Sequence, residues 1–121
     1  MAEVIVLKRG MIVEGDLDPT IGSETGKTIP CVVVTNDVYN ERVPVIQVVP
    51  ITAWSAKKAK IITNVELNPS KRNALSKRSI ADCLQTRPID RVHRVIGIRG
   101  EVSPEKLEEL DRALGVVFGL G

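Results

Sequence analysis

Apolar positions alternate or run continuously through most of this chain and take a helical spacing only at its end. Met11 to Leu17 is a short apolar–polar segment that stops at a turn on Asp18-Pro19. Thr20 to Ile29 is polar, carries Gly22 and Gly26, and predicts a flexible loop. Cys31 to Thr35 is a continuous, mostly β-branched run of the kind a buried strand shows. Asn36 to Arg42 holds two asparagines and an aspartate and predicts a turn region. Val43 to Thr52 is a second apolar run, with Pro44 and Pro50 near its ends, where a missing N–H is easiest to tolerate.

Trp54 to Ala59 predicts a loop. From Lys60 to Leu67 the residues alternate, with Ile61, Thr63, Val65 and Leu67 on one face. Asn68 to Asn73 is turn-rich and basic, Ser79 to Leu84 is a short strand candidate, and Pro88 to His93 suggests one helical turn. A strand follows over Arg94 to Val102, carrying Ile96 and Ile98. The end is the clearest element. Ser103 suits a helix N-cap, Pro104 the first helical position and Glu105 the positive end of the dipole. Leu107, Leu110, Leu114, Val117 and Phe118 recur at helical spacing, and Gly119 closes the helix. The order is mostly β, then a C-terminal helix: an α+β or barrel-like fold.

A length of 121 residues argues for one domain, 1–121, large enough to bury a core without a disulfide or metal staple. Apolar residues at 43% and charged residues at 26% are ordinary for a globular chain and exclude disorder as its main state. The net charge of +2 is too small to indicate nucleic acid by itself, so distribution decides. Three basic groups fall in the middle and later chain: Lys57, Lys58 and Lys60; Lys71, Arg72, Lys77 and Arg78; and Arg87, Arg91, Arg94 and Arg99. The apolar start, Val4 to Leu7, is too short for a signal peptide or a membrane span, and a cytoplasmic protein with no membrane association is expected.

Candidate chemistry is sparse. Gly22-Ser23-Glu24-Thr25-Gly26-Lys27-Thr28 resembles a phosphate loop only superficially. The required first glycine falls on Ile21, and Ile29-Pro30 with a β-branched run follows where a helix should open. His93 is the only histidine, so no paired acid–base relay or metal set is readable around it. Cys31 and Cys83 sit inside apolar runs and lack zinc-site spacing, which predicts buried, reduced thiols. Three aromatic residues argue against a base-stacking platform.

Three stretches stand out: Arg9-Gly10 through Asp16 to Lys27 and on into Pro30 to Asp37; Val48-Val49-Pro50-Ile51-Thr52; and Gln85-Thr86-Arg87-Pro88-Ile89-Asp90 followed by the helix that carries Leu110 to Leu114. Taken together they resemble the MazF/PemK family of toxins from type II toxin–antitoxin systems. Their order and spacing match over nearly the whole chain. The resemblance implies an SH3-like β-barrel with a C-terminal helix, usually a homodimer. It implies sequence-specific cleavage of single-stranded RNA without metal or other cofactor, an mRNA interferase chemistry in which the ribose 2′-hydroxyl attacks the neighbouring phosphate. It also implies a small cognate antitoxin as partner.

That chemistry needs a proton-moving group and a donor or cation for the charged phosphorane. The family places a threonine at the Thr52 position and an arginine just before Pro30. Thr52 is present, but Ile29 stands at the arginine position and can neither donate a proton nor carry charge. Leu84 likewise stands where the family tends to carry an acid. The resemblance therefore implies an endoribonuclease of reduced activity, with Lys27 or Arg87 as substitute cation and Ser23, Glu24, Lys27, Gln85 and Arg87 as RNA-binding residues. The alternative is an inactive family member that binds antitoxin or RNA without cleaving, since a shared fold does not settle activity.

Overall fold

Cys31 to Val33 of the run that predicts a buried strand lie in β2, Thr28–Val33, which starts earlier, inside the expected loop, and stops before Val34, in a computed structural model that describes residues 6–120. Its lack of alternation has a physical cause. Cys31 and Val33 face one apolar cluster with Val13, Leu17, Ile46, Val48, Ile89 and Val95. Val32 faces a second cluster on the other side with Ile12, Val49 and Ile51. A strand covered on both faces has no polar face to display.

The other strands are β1 (Met11–Asp16), β3 (Val45–Ala53), β4 (Asn64–Leu67), β5 (Ser79–Asp82), β6 (Arg87–Asp90) and β7 (Val95–Glu101). They form a seven-stranded antiparallel sheet in the order β4-β5-β3-β2-β1-β7, with β6 also on β3. Long β3 serves two partners in succession along one edge: β6 along Val45 to Val48 and β5 along Ile51 to Ala53. A 3-10 turn at Cys83–Gln85 links those partners. This is the expected SH3-like barrel with a C-terminal helix. One cluster fills the space inside the strands, and the other lies beneath α3 (Pro104–Phe118).

α3 begins as its sequence predicts. Ser103 Oγ accepts from Lys106 N at 3.2 Å, Pro104 opens the helix, and Gly119 ends it at φ 68°. Leu110 and Ala113 are buried, and Leu107, Leu114 and Val117 pack on the same cluster. Phe118 does not join them; at 59% exposed it follows the last residue that the cluster reaches.

Several local expectations are corrected. Pro88 to His93 is not a helical turn: Arg87–Asp90 is strand, because pairing with β3 seats Ile89 in the barrel interior and tertiary burial overrides local preference. The chain turns only after that, with Asp90 Oδ1 accepting from Val92 N at 2.9 Å and His93 N at 2.8 Å. Trp54 to Ala59 is not wholly loop but contains α2 (Ala56–Ala59), capped by Ser55. The turn region after β2 contains α1 (Asp37–Asn40), capped by Asn36. Only Asn64–Leu67 of the alternating stretch is strand, and Ile61 lies exposed before it. Val4 and Ile5 of the apolar start lie outside the described residues. Among the described residues no helix is long and apolar enough to cross a membrane.

Candidate active site

β2 and β3 bring two distant parts of the sequence side by side. Cys31 pairs with Pro50, and the same antiparallel register carried outward sets Ile29 beside Thr52. Side chains alternate along a strand, so Ile29 shares a face with Cys31 and Thr52 shares one with Val48. Cys31 and Val48 belong to one cluster, so Ile29 and Thr52 project on the same side of the sheet. Both line an open cavity of about 340 Å³ whose further walls include Leu75, Ser76, Lys77 and Arg99.

Thr52 is half-buried there. Lys58 Nζ, from α2, lies 3.4 Å from Thr52 Oγ1 and 3.4 Å from the Ala53 carbonyl oxygen. With its oxygen accepting from Lys58, the hydroxyl keeps its own proton to donate elsewhere. The wall carrying Leu75, Ser76 and Lys77 is braced by buried Asn73. Its Oδ1 accepts from Ser70 N at 2.9 Å and Leu75 N at 3.0 Å, and its Nδ2 donates to Asn68 O at 2.8 Å. The loop is strapped to β7 through Glu101 N, which donates to Arg72 O at 3.0 Å. Gly100 permits that approach, since an added Cβ would overlap the Arg72 carbonyl oxygen. Arg99 Nη1 lies 2.6 Å from Glu14 Oε1, and its Nε donates to Ala74 O of the same loop at 2.8 Å.

The residues suggested as substitute cations stand elsewhere. Lys27 adopts φ 68°, so the chain is not extended there, and its exposed side chain does not follow the face of Ile29 into the cavity. Arg87 Nη1 donates to Leu17 O at 3.0 Å, at the root of the loop between β1 and β2. Gln85 is engaged with that loop through both amide atoms: Oε1 accepts from Thr25 N at 3.0 Å, and Nε2 donates to Ser23 O at 3.1 Å. Glu24 Oε1 accepts from Ile21 N at 2.6 Å within the loop. Leu84 is 61% exposed on the 3-10 turn, outside the cavity.

Lys58, by contrast, reaches the Thr52 hydroxyl, and Lys77 and Arg99 line the cavity with Thr52, although the three belong to different basic groups along the chain. They come from α2, the loop before β5, and β7. Neither lysine has a carboxylate partner among the described residues. No thiol competes as nucleophile. Burial pushes both Cys31 and Cys83 up to about 12, aided by the charge of Glu14 for Cys31 and of Asp82 for Cys83; Arg87 opposes the shift at Cys31. His93 is exposed, and no group of three or more His, Cys, Asp or Glu side chains gathers as a metal site among the described residues.

The same fold is found in solved toxin structures. MazF from Deinococcus radiodurans gives a TM-score of 0.81 at 22% identity, covering 96% of this chain and 99% of that one. Mycobacterium tuberculosis toxin MazF-mt6 gives 0.73 at 23% identity, covering 92% and 98%. The class is thus the small β-barrel of the MazF toxins. At the level of sequence, the chain is 34% identical over 116 residues to Endoribonuclease EndoA of Bacillus subtilis (strain 168), covering 96% of this chain and 97% of the relative. Residues 8–118 match the family described as PemK-like, MazF-like toxin of type II toxin-antitoxin system. The chain belongs to that toxin family.

Proposed function

We propose that the protein is a toxin endoribonuclease that cuts single-stranded RNA at specific sequences without a metal. The reading is carried by one observation: Thr52 lines a cavity that Lys77 and Arg99 also line, with Lys58 Nζ 3.4 Å from its hydroxyl oxygen. The name of the Bacillus subtilis relative supports the same activity. The nucleophile comes from the substrate. The ribose 2′-oxygen bonds to the adjacent phosphorus as the bond to the 5′-oxygen breaks; the 2′ proton departs and the 5′-oxygen gains one, leaving a cyclic phosphate and a 5′-hydroxyl. The protein has only to orient the phosphate and stabilise the extra charge on its non-bridging oxygens, which a threonine hydroxyl and fixed cations do by donating hydrogen bonds.

Ile29 brings no donor to this site, and we assign it a lowered rate rather than a lost fold, because its side chain packs against the barrel cluster. The partners in this reading are single-stranded RNA, a small cognate antitoxin and a second copy of the chain, all in the cytoplasm. A structural relative is described as an endoribonuclease in complex with its cognate antitoxin, which supports the second of these. The deciding assay incubates purified protein with a long RNA in a chelator and maps the cut ends. Cyclic-phosphate termini at recurrent sequences support the proposal. Intact RNA with both wild type and Ile29→Arg removes it and leaves a binding protein on the same scaffold.

A further inference from the structure

We propose that Arg99 is the catalytic cation of this site, supplying the phosphate contact that Ile29 cannot. The assignment rests on the ribonuclease reading and deepens it. It begins with register. Ile12 pairs with Gly100 and Val13 with Ile98, so Arg99 is the extra residue of a bulge between β1 and β7. A bulge takes one residue out of the ladder and re-aims its side chain. Here the re-aimed side chain reaches the wall of the cavity that Thr52 and Ile29 share.

The guanidinium is held before any ligand arrives. Glu14 Oε1 at 2.6 Å fixes Nη1 and the Ala74 carbonyl at 2.8 Å fixes Nε, while the side chain stays 28% exposed. Nη2 has no hydrogen-bond partner among the described residues, so donors remain for a ligand. A planar fork held in this way matches two oxygens of a phosphate and needs little reorganisation as charge builds on them. Glu14 offsets the long-range charge of Arg99, but not the direction of its free N–H groups. Lys58 and Lys77 keep the surroundings positive. Neither lysine offers the same contact, because an ammonium presents no planar fork to two oxygens, and Lys58 is in addition engaged with Thr52 and Ala53.

The site also predicts how the two positions relate. Ile29 and Arg99 open on the same space, so a guanidinium grown from position 29 can replace one lost from position 99. The experiment compares single-turnover RNA cleavage by wild type, Arg99→Gln, Arg99→Lys and the double variant Ile29→Arg/Arg99→Gln, with thermal unfolding of each. Affinity for a 2′-deoxy version of the RNA is measured alongside, to separate binding from the chemical step. Expected are a loss on the order of 10²-fold in rate for Arg99→Gln, a smaller loss for Arg99→Lys, and recovery of at least about tenfold in the double variant. Should Arg99→Gln fail to fold, Arg99→Lys carries the test, since it keeps the charge and loses the fork. A folded Arg99→Gln (or, in its place, Arg99→Lys) that cleaves like wild type overturns the assignment and leaves the ribonuclease reading standing. So does a double variant that recovers nothing, because the loss would then come from structure rather than charge. A wild type that cleaves no RNA overturns both.

Discussion

Lys58 Nζ and Thr52 Oγ1 lie 3.4 Å apart at the end of β3, so the threonine oxygen accepts from the lysine and its proton is left to donate elsewhere. Thr52→Val keeps the β-branched shape and removes only the hydroxyl. RNA cleavage is expected to fall on the order of 10²-fold, the usual cost of one donor to a charged transition state. Thr52 is half-buried and Lys58 can take water instead, so stability should change by less than about 1 kcal/mol. Rate and thermal midpoint measured on one preparation decide the matter: an unchanged rate in a folded variant removes Thr52 from the mechanism.

RNA bound beside Thr52 should release counterions from its backbone as Lys58 and Lys77 approach. Affinity for a non-cleavable single-stranded oligonucleotide should fall with salt. Lys77→Ala should flatten the plot of log affinity against log salt by roughly 0.7, the expected share of one phosphate contact on a single strand. Parallel plots for wild type and variant would show that Lys77 touches no phosphate.

How much of this was legible beforehand differs between fold and site. α3 could be read residue by residue because its cap, proline and stop act locally. The doubly buried strands could be read as runs but not placed, since nothing in Cys31 to Thr35 states which neighbour covers it. Pro88 to His93 reads locally as a helical turn, whereas Pro88 to Asp90 is extended because it pairs with β3. Thr52 and Ile29 came from resemblance to a known pattern. Lys58, Lys77 and Arg99 did not: their convergence depends on a capped turn, an asparagine-braced loop and a bulge, three tertiary devices with no joint mark along the chain.

Gln85 ties the loop between β1 and β2 to the 3-10 turn through Thr25 N and Ser23 O. The loop's other anchors to the barrel sit at its base, where Arg87 donates to Leu17 O and Arg94 to Asp18 O, and Ile21 further out is 84% exposed. Gln85→Ala should therefore loosen the loop while costing the fold only about 1 kcal/mol. Amide hydrogen exchange reads this directly. The Thr25 amide should exchange faster in the variant, with the β2–β3 ladder unaffected; equal protection at Thr25 would show that the tether does not hold in solution.

Asn73 satisfies the Ser70 and Leu75 amides and the Asn68 carbonyl from a buried position. Asn73→Ala strands these groups, and a destabilisation of about 2 kcal/mol is expected from the unsatisfied donors. The same loop carries Leu75, Ser76 and Lys77 into the cavity wall, so cleavage should drop as well, even well below the unfolding temperature. Asn73→Asp still accepts from both amides and loses only the donor to Asn68 O. It should recover more stability than Asn73→Ala, and a chemical-denaturation series placing the two variants together would contradict the bracing role.

Cys31 and Cys83 both titrate at about 12 in the folded chain against an ordinary value of 9.0, mainly because burial penalises the thiolate. The folded state thus holds these protons to higher pH than the unfolded state does. Each thiol's contribution is intact below pH 9 and is lost as pH rises from there towards 12, by up to about 1.4 kcal/mol per pH unit. Urea unfolding of wild type should weaken between pH 8 and pH 10.5 beyond what other groups cause, with pH values set about the 9.0 of a free thiol. Cys83→Ala should start less stable, since a small cavity replaces the sulfur, yet lose less over the same interval. Its stability curve should converge on that of wild type as the solution becomes alkaline. Two curves that stay parallel would mean that Cys83 ionises as readily inside the protein as outside, and that its burial is not felt as a charge penalty.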